Sequence, residues 1–297
     1  MTRCGMVAII GRPNVGKSTL MNHILGQKIS ITCDKPQTTR HQILGIKTEK
    51  NVQTIFVDTP GLHQNVKKAL NRTMNKAALA ALHDVDLVVW VMDHKWTAEE
   101  QWIAERLKDI KTPVVGIINK IDLYKKKTDL LPILESRVKQ YPFDEIIPIS
   151  AEKGQGVVEL ETLIAKYLPE QPFIYAEDQL TNKSERFLVA EIIREKLMRM
   201  LGDELPYAVT VSVEQFNENA ETGQIEIFST IWVERASQKS IIIGRQGQKI
   251  KTIGMLARQD INTLLGKRSH LELWVKVKSG WSDDERALRS LGYDHEE

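Results

Sequence analysis

Residues 11–18 read GRPNVGKS, and Asn119–Asp122 reads NKID. The first string fits G-x-x-x-x-G-K-[ST], a loop whose backbone N–H groups wrap the phosphates of a nucleotide. Gly11, Arg12, Pro13, Asn14, Val15 and Gly16 form that loop, with Thr19 just beyond it. Lys17 is expected to reach the β- and γ-phosphates and Ser18 to ligate Mg²⁺. The second string carries the residue types that grip guanine. A carboxylate at Asp122 accepts from both N1–H and the 2-amino group of guanine. Adenine offers neither donor, and sites built on such bonds reject a misfit by roughly 10⁴-fold. Asn119 and Lys120, with Ile121 between them and Asp122, buttress the ring and the phosphate loop. One motif supplies phosphate affinity and the other base identity, so the expected ligand is GTP or GDP.

Three further stretches fall into place around this pair. Asp58–Gly61 reads DTPG. Asp58 is expected to hold Mg²⁺ through water, and Gly61 N–H to approach the γ-phosphate because no side chain intervenes. Thr59, Pro60 and Leu62 complete the expected contact stretch. Ser150–Lys153 reads SAEK, and Ser150, Ala151 and Glu152 are expected to close over the guanine edge. PQTTRH (Pro36–His41) lies between the phosphate loop and DTPG. Its Thr39 is expected to complete the magnesium shell, with Thr38 the alternative, and loss of the γ-phosphate would release it as an order–disorder switch. The metal set is therefore Ser18, Thr39 and Asp58. The catalytic set is Lys17, Thr39 and Gly61, with no water-orienting side chain assigned. His41 and His63 flank the site and are read as loop residues, with a catalytic role for either the alternative.

A different chemistry occupies the last third of the chain. Gly244–Gly247 reads GRQG, which fits the G-x-x-G loop that clamps four nucleotides of RNA backbone in KH domains. Ten basic residues against two acidic ones fall between Arg235 and Lys278, whereas residues 181–297 as a whole carry 17 basic and 18 acidic residues. Basic charge concentrated on one face is the electrostatic footprint of nucleic-acid binding. The expected RNA contacts are Lys239, Gly244, Arg245, Gln246, Gly247, Lys249, Lys251 and Arg258. Ile250, Ile253, Leu256 and Ala257 are expected to pack the core, as is Trp274, for which stacking on a base is the alternative.

The elements that must position these residues follow from hydrophobic patterning. Met6–Ile10, Val52–Val57, Asp86–Met92, Pro113–Ile118 and Glu145–Ile149 are short apolar runs, the signature of buried strands. Gln42–Thr48 and Val52–Val57, separated by a polar turn, predict an antiparallel hairpin. Helical patterns cover Ser18–Leu25, Ala69–Leu82, Ala98–Lys108, Leu130–Gln140 and Val157–Tyr167. Such alternation predicts a three-layer α/β domain with a mostly parallel sheet over residues 1–168, and the motifs at its strand ends make it resemble a P-loop GTPase domain. Ligands of such sheets sit beyond the carboxyl ends of the strands. Residues 169–184, with two prolines and a polar run, read as a linker. Residues 185–297 give the order α-β-β-α-α-β, an α+β KH domain of type II, followed by a tail.

Two domains suit a chain of 297 residues. The hydrophobic share of 42% and charged share of 27% are those of a globular protein. No apolar run approaches the roughly 18 residues of a membrane span, and Met6–Ile10 is too short for a signal-peptide core. Cys4 and Cys33 show no metal-ligand spacing and are expected to be reduced. The expected setting is the cytoplasm.

Taken together, GRPNVGKS, PQTTRH, DTPGLH, NKID and SAEK resemble the Era family of translation-factor-related, ribosome-assembly GTPases. The tail HLELWVKVKSGWSDDERALRSLGY (His270–Tyr293) is similar to the same family. The resemblance implies slow, Mg²⁺-dependent GTP hydrolysis, a GDP/GTP switch, binding of the 3′ end of 16S ribosomal RNA and a role in assembling the 30S subunit. It further implies a monomer that binds no DNA and has some peripheral contact with the inner membrane. Leu62 stands where Ras-like enzymes carry a water-orienting glutamine, and leucine cannot hydrogen-bond water. Asn14 resembles the asparagine of related GTPases that bind K⁺. The alternatives are a membrane-associated regulatory GTPase and a GTP-driven RNA-modification enzyme. The second lacks a cysteine or metal cluster in the C-terminal domain.

Overall fold

The computed structural model describes residues 1–35, 38–61, 69–82, 84–202 and 205–291. The chain divides into two compact units, the first reaching Asn182 and the second running from Lys183.

In the first unit the strands are β1 (Arg3–Ile10), β2 (Ile43–Glu49), β3 (Val52–Asp58), β4 (Leu87–Met92), β5 (Val114–Ile118) and β6 (Glu145–Pro148). They form one sheet in the order β2-β3-β1-β4-β5-β6. β2 is antiparallel to β3, as the hairpin pattern predicts, and every other pairing is parallel. All residues of β4 and β5 are buried, which is why these strands read as unbroken apolar runs rather than alternations. Helices α1 (Lys17–Leu25), α2 (Ala69–Ala80), α3 (Ala98–Leu107), α4 (Leu131–Gln140) and α5 (Val157–Tyr167) alternate with the strands. Trp90 of β4 anchors one core cluster, with Trp96, Tyr141 and Phe143 at centroid distances of 5.6, 5.4 and 5.5 Å.

Strand order reverses at β1. Its neighbours are β3 on one side and β4 on the other, the arrangement that leaves a ligand crevice at the carboxyl edge. Gly11 follows β1, Asp58 ends β3, Asn119 follows β5 and Ser150 lies two residues past β6. All four candidate motifs therefore emerge on one edge.

The stretch from 169 to 182 is not free chain. Cys4 N–H donates to Pro169 O at 3.2 Å, and Gln171 Nε2 donates to Cys4 O at 2.8 Å. The N–H groups of Ile174 and Tyr175 both donate to Gln53 Oε1 at 2.9 Å, and Ile46 N–H donates to Leu180 O at 2.8 Å. Its prolines do end the helical pattern. Its backbone groups then find partners on the sheet, as chain lying against a protein surface must.

The second unit opens with α6 (Glu185–Met200), capped by Ser184 Oγ, which accepts from Phe187 N–H at 3.3 Å. The strands β7 (Val209–Glu218), β8 (Ile225–Val233) and β9 (Ser269–Val277) follow in the spatial order β7-β8-β9. Helices α7 (Ala236–Ile243) and α8 (Gln248–Leu265) come between β8 and β9, and α9 (Glu285–Ser290) closes the described chain. The order α-β-β-α-α-β is the expected one. Ile253 and Ala257 are fully buried with Ile193, Leu197, Ile227 and Ile231, while Ile250 packs against that cluster half-buried.

Trp274 departs from expectation. It is 60% exposed. Val275 and Leu273 belong to the core cluster that the helices build, and alternation along β9 sends the residue between them to the other face. There it stands beside Thr230 of β8. The helical layer covers one face of this sheet, so alternation put the tryptophan outside.

Candidate active site and nucleic-acid loop

The loop after β1 carries no acidic side chain and presents N–H groups at the start of α1, where the helix dipole favours negative charge. Lys17 is 6% exposed, and its Nζ donates to Gly11 O and Arg12 O, both at 3.0 Å. Burial lowers its pKa from 10.5 to about 8; Asp58 opposes the shift and Arg12 adds to it. The lysine is thus held curled within its own loop, at the entry to a cavity also lined by Ser18, Thr39 and Gly61.

A triphosphate entering there brings anions that favour the ammonium and restore its pKa. The folded protein carries a penalty for charging Lys17 below pH 8, and that penalty fades as pH rises from about 8 towards 10.5. Nucleotide binding reverses the preference. GDP affinity is therefore expected to fall as pH rises above 8, with proton uptake on binding between pH 8 and 9. Titration calorimetry in buffers of different ionisation enthalpy measures that uptake, and none at pH 8.5 would refute the assignment.

Asp58 is completely buried, and burial pushes its carboxyl up while Lys17 and two serine hydroxyls pull it down. Its Oδ2 accepts from Ser18 Oγ at 2.8 Å and from Ser30 Oγ at 2.8 Å. Ser18 Oγ lies 2.9 Å from Thr39 Oγ1. The buried Oδ1 has no hydrogen-bond partner among the described residues. An orphaned carboxylate oxygen beside two hydroxyls is a hard-oxygen set of the kind Mg²⁺ selects. Of the two threonines, Thr39 stands at this set. Thr38 turns its hydroxyl to Lys35 O at 2.6 Å.

Ser30 was outside every motif. Asn22 of α1 holds it: Asn22 Oδ1 accepts from the N–H groups of Ile29 and Ser30 at 2.9 Å, and its Nδ2 donates to Ser30 O at 2.6 Å. A serine after a helix carries no signal until the fold brings it to the end of β3. Residues that orient a metal-binding carboxylate typically matter 10- to 100-fold in metal affinity. Ser30→Ala is expected to weaken the Mg²⁺ enhancement of GDP binding about tenfold and to leave GDP affinity in EDTA unchanged. A fluorescent GDP analogue titrated with and without Mg²⁺ reads both.

The base-reading half is closed by interlocking bonds. Asn119 Nδ2 donates to Val15 O at 2.8 Å, and its Oδ1 accepts from Ala151 N–H at 2.9 Å. Lys120 Nζ donates to Asn14 O at 2.7 Å. Ser150 Oγ donates to Asp122 Oδ1 at 2.5 Å and accepts from Lys153 N–H at 3.2 Å. NKID is thereby tied to the phosphate loop on one side and to SAEK on the other, with the Asp122 carboxylate held for a donor pair. Arg12 is pinned as well, by Asp93 and by Glu100 at 2.7 Å. Glu100 is completely buried and closes a capping box with Thr97 at the start of α3. The T-x-x-E pattern is readable as a cap, but its second duty to the phosphate loop is not.

Gly61 sits against the same loop: a Cβ there would meet Pro13 Cγ at 2.9 Å. Leu62 and His63 lie outside the described residues, as do Pro36 and Gln37. Cys4 and Cys33 are both free thiols.

In the second unit Gly244 ends α7 with φ 72°, and a Cβ there would come within 2.7 Å of Lys249 Cβ. Gln246 adopts φ 51°, and Gly247 N–H donates to Gly244 O at 3.2 Å. The loop is a tight, glycine-dependent turn with exposed Arg245 and Gln246 at its tip. Beside it, between α8 and β9, runs a groove of about 400 Å³ lined by Ile250, Lys251, Gly254, Met255, Arg258, Leu271 and Leu273. Lys251 and Arg258 flank an apolar floor, which suits backbone phosphates and bases respectively. Lys249 adjoins the loop, whereas Lys239 lies on α7, away from the groove lining.

Residues 6–120 match the family described as 50S ribosome-binding GTPase, and residues 204–282 match the KH domain. GTPase Era of Pseudomonas fluorescens is 57% identical over 293 residues, covering 98% of this chain and 97% of its own. GTPase Era of Pseudomonas aeruginosa is 56% identical, covering 98% and 95%. A crystal structure of Era in complex with MgGDPNP and nucleotides 1506–1542 of 16S ribosomal RNA superposes with a TM-score of 0.96 at 38% identity, over 99% of this chain and 100% of that one. An Aquifex aeolicus Era variant bound to GDP and AlF4⁻ does so with the same TM-score, identity and coverage.

Proposed function

The chain belongs to the Era family of GTPases, and from that premise we propose that it binds and hydrolyses GTP as a switch, holds the 3′ region of 16S ribosomal RNA, and assists maturation of the 30S subunit. The observation that carries this reading is the coexistence in one chain of a guanine reader tied to a phosphate loop and a glycine-turned RNA loop. Lys17 and the Gly61 N–H serve the γ-phosphate. Ser18, Thr39 and Asp58 hold Mg²⁺, which supplies charge neutralisation at the transferred phosphoryl group. The hydroxyl of Thr39 follows the γ-phosphate, so the 38–41 segment changes state on hydrolysis. Gly244–Gly247 clamps RNA backbone, with Arg245, Lys249, Lys251 and Arg258 on its phosphates. In domain terms the GTPase part spans 1–168, extended by the packed stretch to 182, and the KH part begins at 185.

The related Era structure holds nucleotides 1506–1542 of 16S ribosomal RNA, and the same target is proposed here. The decisive experiment measures binding to that fragment and GTP turnover with and without it. Linkage requires that RNA and GTP change each other's affinity by one common factor. Tight RNA binding with altered GTP affinity supports the switch, and unchanged affinity removes the coupling. K⁺ at Asn14, whose backbone takes φ 63°, is proposed as an activator; equal turnover in Na⁺ and K⁺ buffers refutes it. No helix among the described residues is long and apolar enough to cross a membrane. Contact with the inner membrane is accordingly proposed as peripheral, and flotation with anionic vesicles checks it.

A further inference from the structure

We propose that the outer face of the β7-β8-β9 sheet is a second RNA contact, in which a base stacks on Trp274 and the adjoining phosphates lie against Lys276 and Lys278. The proposal rests on the 16S reading above and adds a surface to it.

A tryptophan 60% exposed on a sheet leaves a large apolar ring in water. Trp274 does not stand alone. It borders a shallow groove of about 450 Å³ shared with Gln215, Phe228, Thr230, Lys276 and the carboxylate-bearing Glu214. Next to it on β8, Trp232 is fixed by its indole N–H, which donates to Ser212 Oγ at 2.9 Å. The ammonium groups of Lys276 and Lys278 gather 5.7 and 6.0 Å from the Trp232 ring centroid. An aromatic platform with cations beside it is the construction that single-stranded nucleic acid uses, stacking bases and pairing phosphates. Charge along the outer row of β9 is polarised, with half-buried Glu272 before Trp274 and lysines after it. A strand of RNA would therefore leave the ring towards Lys276 and Lys278.

The face is continuous with the clamp. β9 is an edge strand of its sheet, and Leu273, which lines the groove beside Gly244–Gly247, is the immediate neighbour of Trp274. Successive residues point to opposite faces, so one step across the strand joins the two surfaces. Most of the ligand's length lies beyond the clamp. A G-x-x-G loop clamps four nucleotides, while the related complex carries thirty-seven. Trp274 has no role in the nucleotide site or in the core.

The test uses the full chain and two RNA probes: the 1506–1542 fragment and a short oligonucleotide from its 3′ end that fills the clamp alone. Base stacking on an aromatic ring is worth about 1–3 kcal/mol. Trp274→Ala is expected to lose about 5- to 150-fold in affinity for the long probe and nothing for the short one. Lys276→Ala/Lys278→Ala is expected to lower the salt dependence of long-probe binding by about two counterions. Tryptophan emission should be quenched by the long probe in the wild type, and this component should vanish in Trp274→Ala. Unchanged long-probe affinity for Trp274→Ala overturns the proposal and leaves the face to a protein partner. Equal loss on both probes overturns it too, since the ring would then act through the clamp. Failure of the wild type to bind either probe sinks the 16S reading itself, a distinct result.

Discussion

Asp122→Asn is expected to lower GTP affinity by about 10³- to 10⁴-fold and to create affinity for xanthosine triphosphate in its place. The carboxylate is positioned by Ser150 Oγ at 2.5 Å, and Ser150 is itself held by Lys153 N–H. Guanine presents two donors to that carboxylate. An asparagine retains one acceptor but turns a donor towards the 2-amino group, so a bond becomes a repulsion. Xanthine carries a carbonyl at that position and accepts what asparagine donates. Ser150 still has an oxygen to bond, so the loop keeps its shape. Equilibrium titration with GTP, ATP and xanthosine triphosphate reads the swap. A variant that loses GTP without gaining the xanthine nucleotide would show that Asp122 supports the fold rather than the base.

Gly16→Ala comes second in size. Gly16 has φ 104°, in the region L-residues avoid, at a strain of about 1–3 kcal/mol. Its neighbour makes matters worse. An added Cβ would overlap Asn119 Nδ2, and that amide has nowhere to go. Its nitrogen is bonded to Val15 O and its oxygen to Ala151 N–H. Moving Asn119 would break the tie between phosphate loop and base reader and disturb SAEK with it. GDP affinity is expected to fall at least a hundredfold, about 3 kcal/mol by the usual conversion. Gly26→Ala is a matched control: it too has positive φ, but no atom lies within 4 Å of the added methyl. It should lose a little thermal stability and no nucleotide affinity. Similar losses for both would mean backbone strain alone explains Gly16.

Much of this site was readable because phosphate and guanine impose local demands. A loop with few side chains, a lysine and a hydroxyl must be contiguous to surround a phosphate, so GRPNVGKS is a string. NKID is likewise a string because ring and carboxylate are only a few ångströms apart. What escaped was whatever acts across the chain. Ser30 bonds Asp58 from 28 positions away. Arg12 is pinned by Asp93, 81 positions on. The stretch after Pro169 looked like linker by composition, yet Gln53 satisfies its backbone. Nothing in a polar, proline-bearing run announces which acceptor will meet it. Trp274 faces solvent for a related reason. Alternation assigns residues to two faces, but which face is covered depends on where the helices pack.

The amino-acid order alone determined the strands, the helices, the phosphate loop, the base reader and the G-x-x-G turn, since each depends on neighbours within a few residues. Tertiary structure alone decided that Thr39 rather than Thr38 joins Ser18 and Asp58, that Ser30 and Asn22 steady the carboxylate, and that a tryptophan faces solvent. Those outcomes depend on strand order and layer packing, which bring together groups whose separation along the chain carries no local signal.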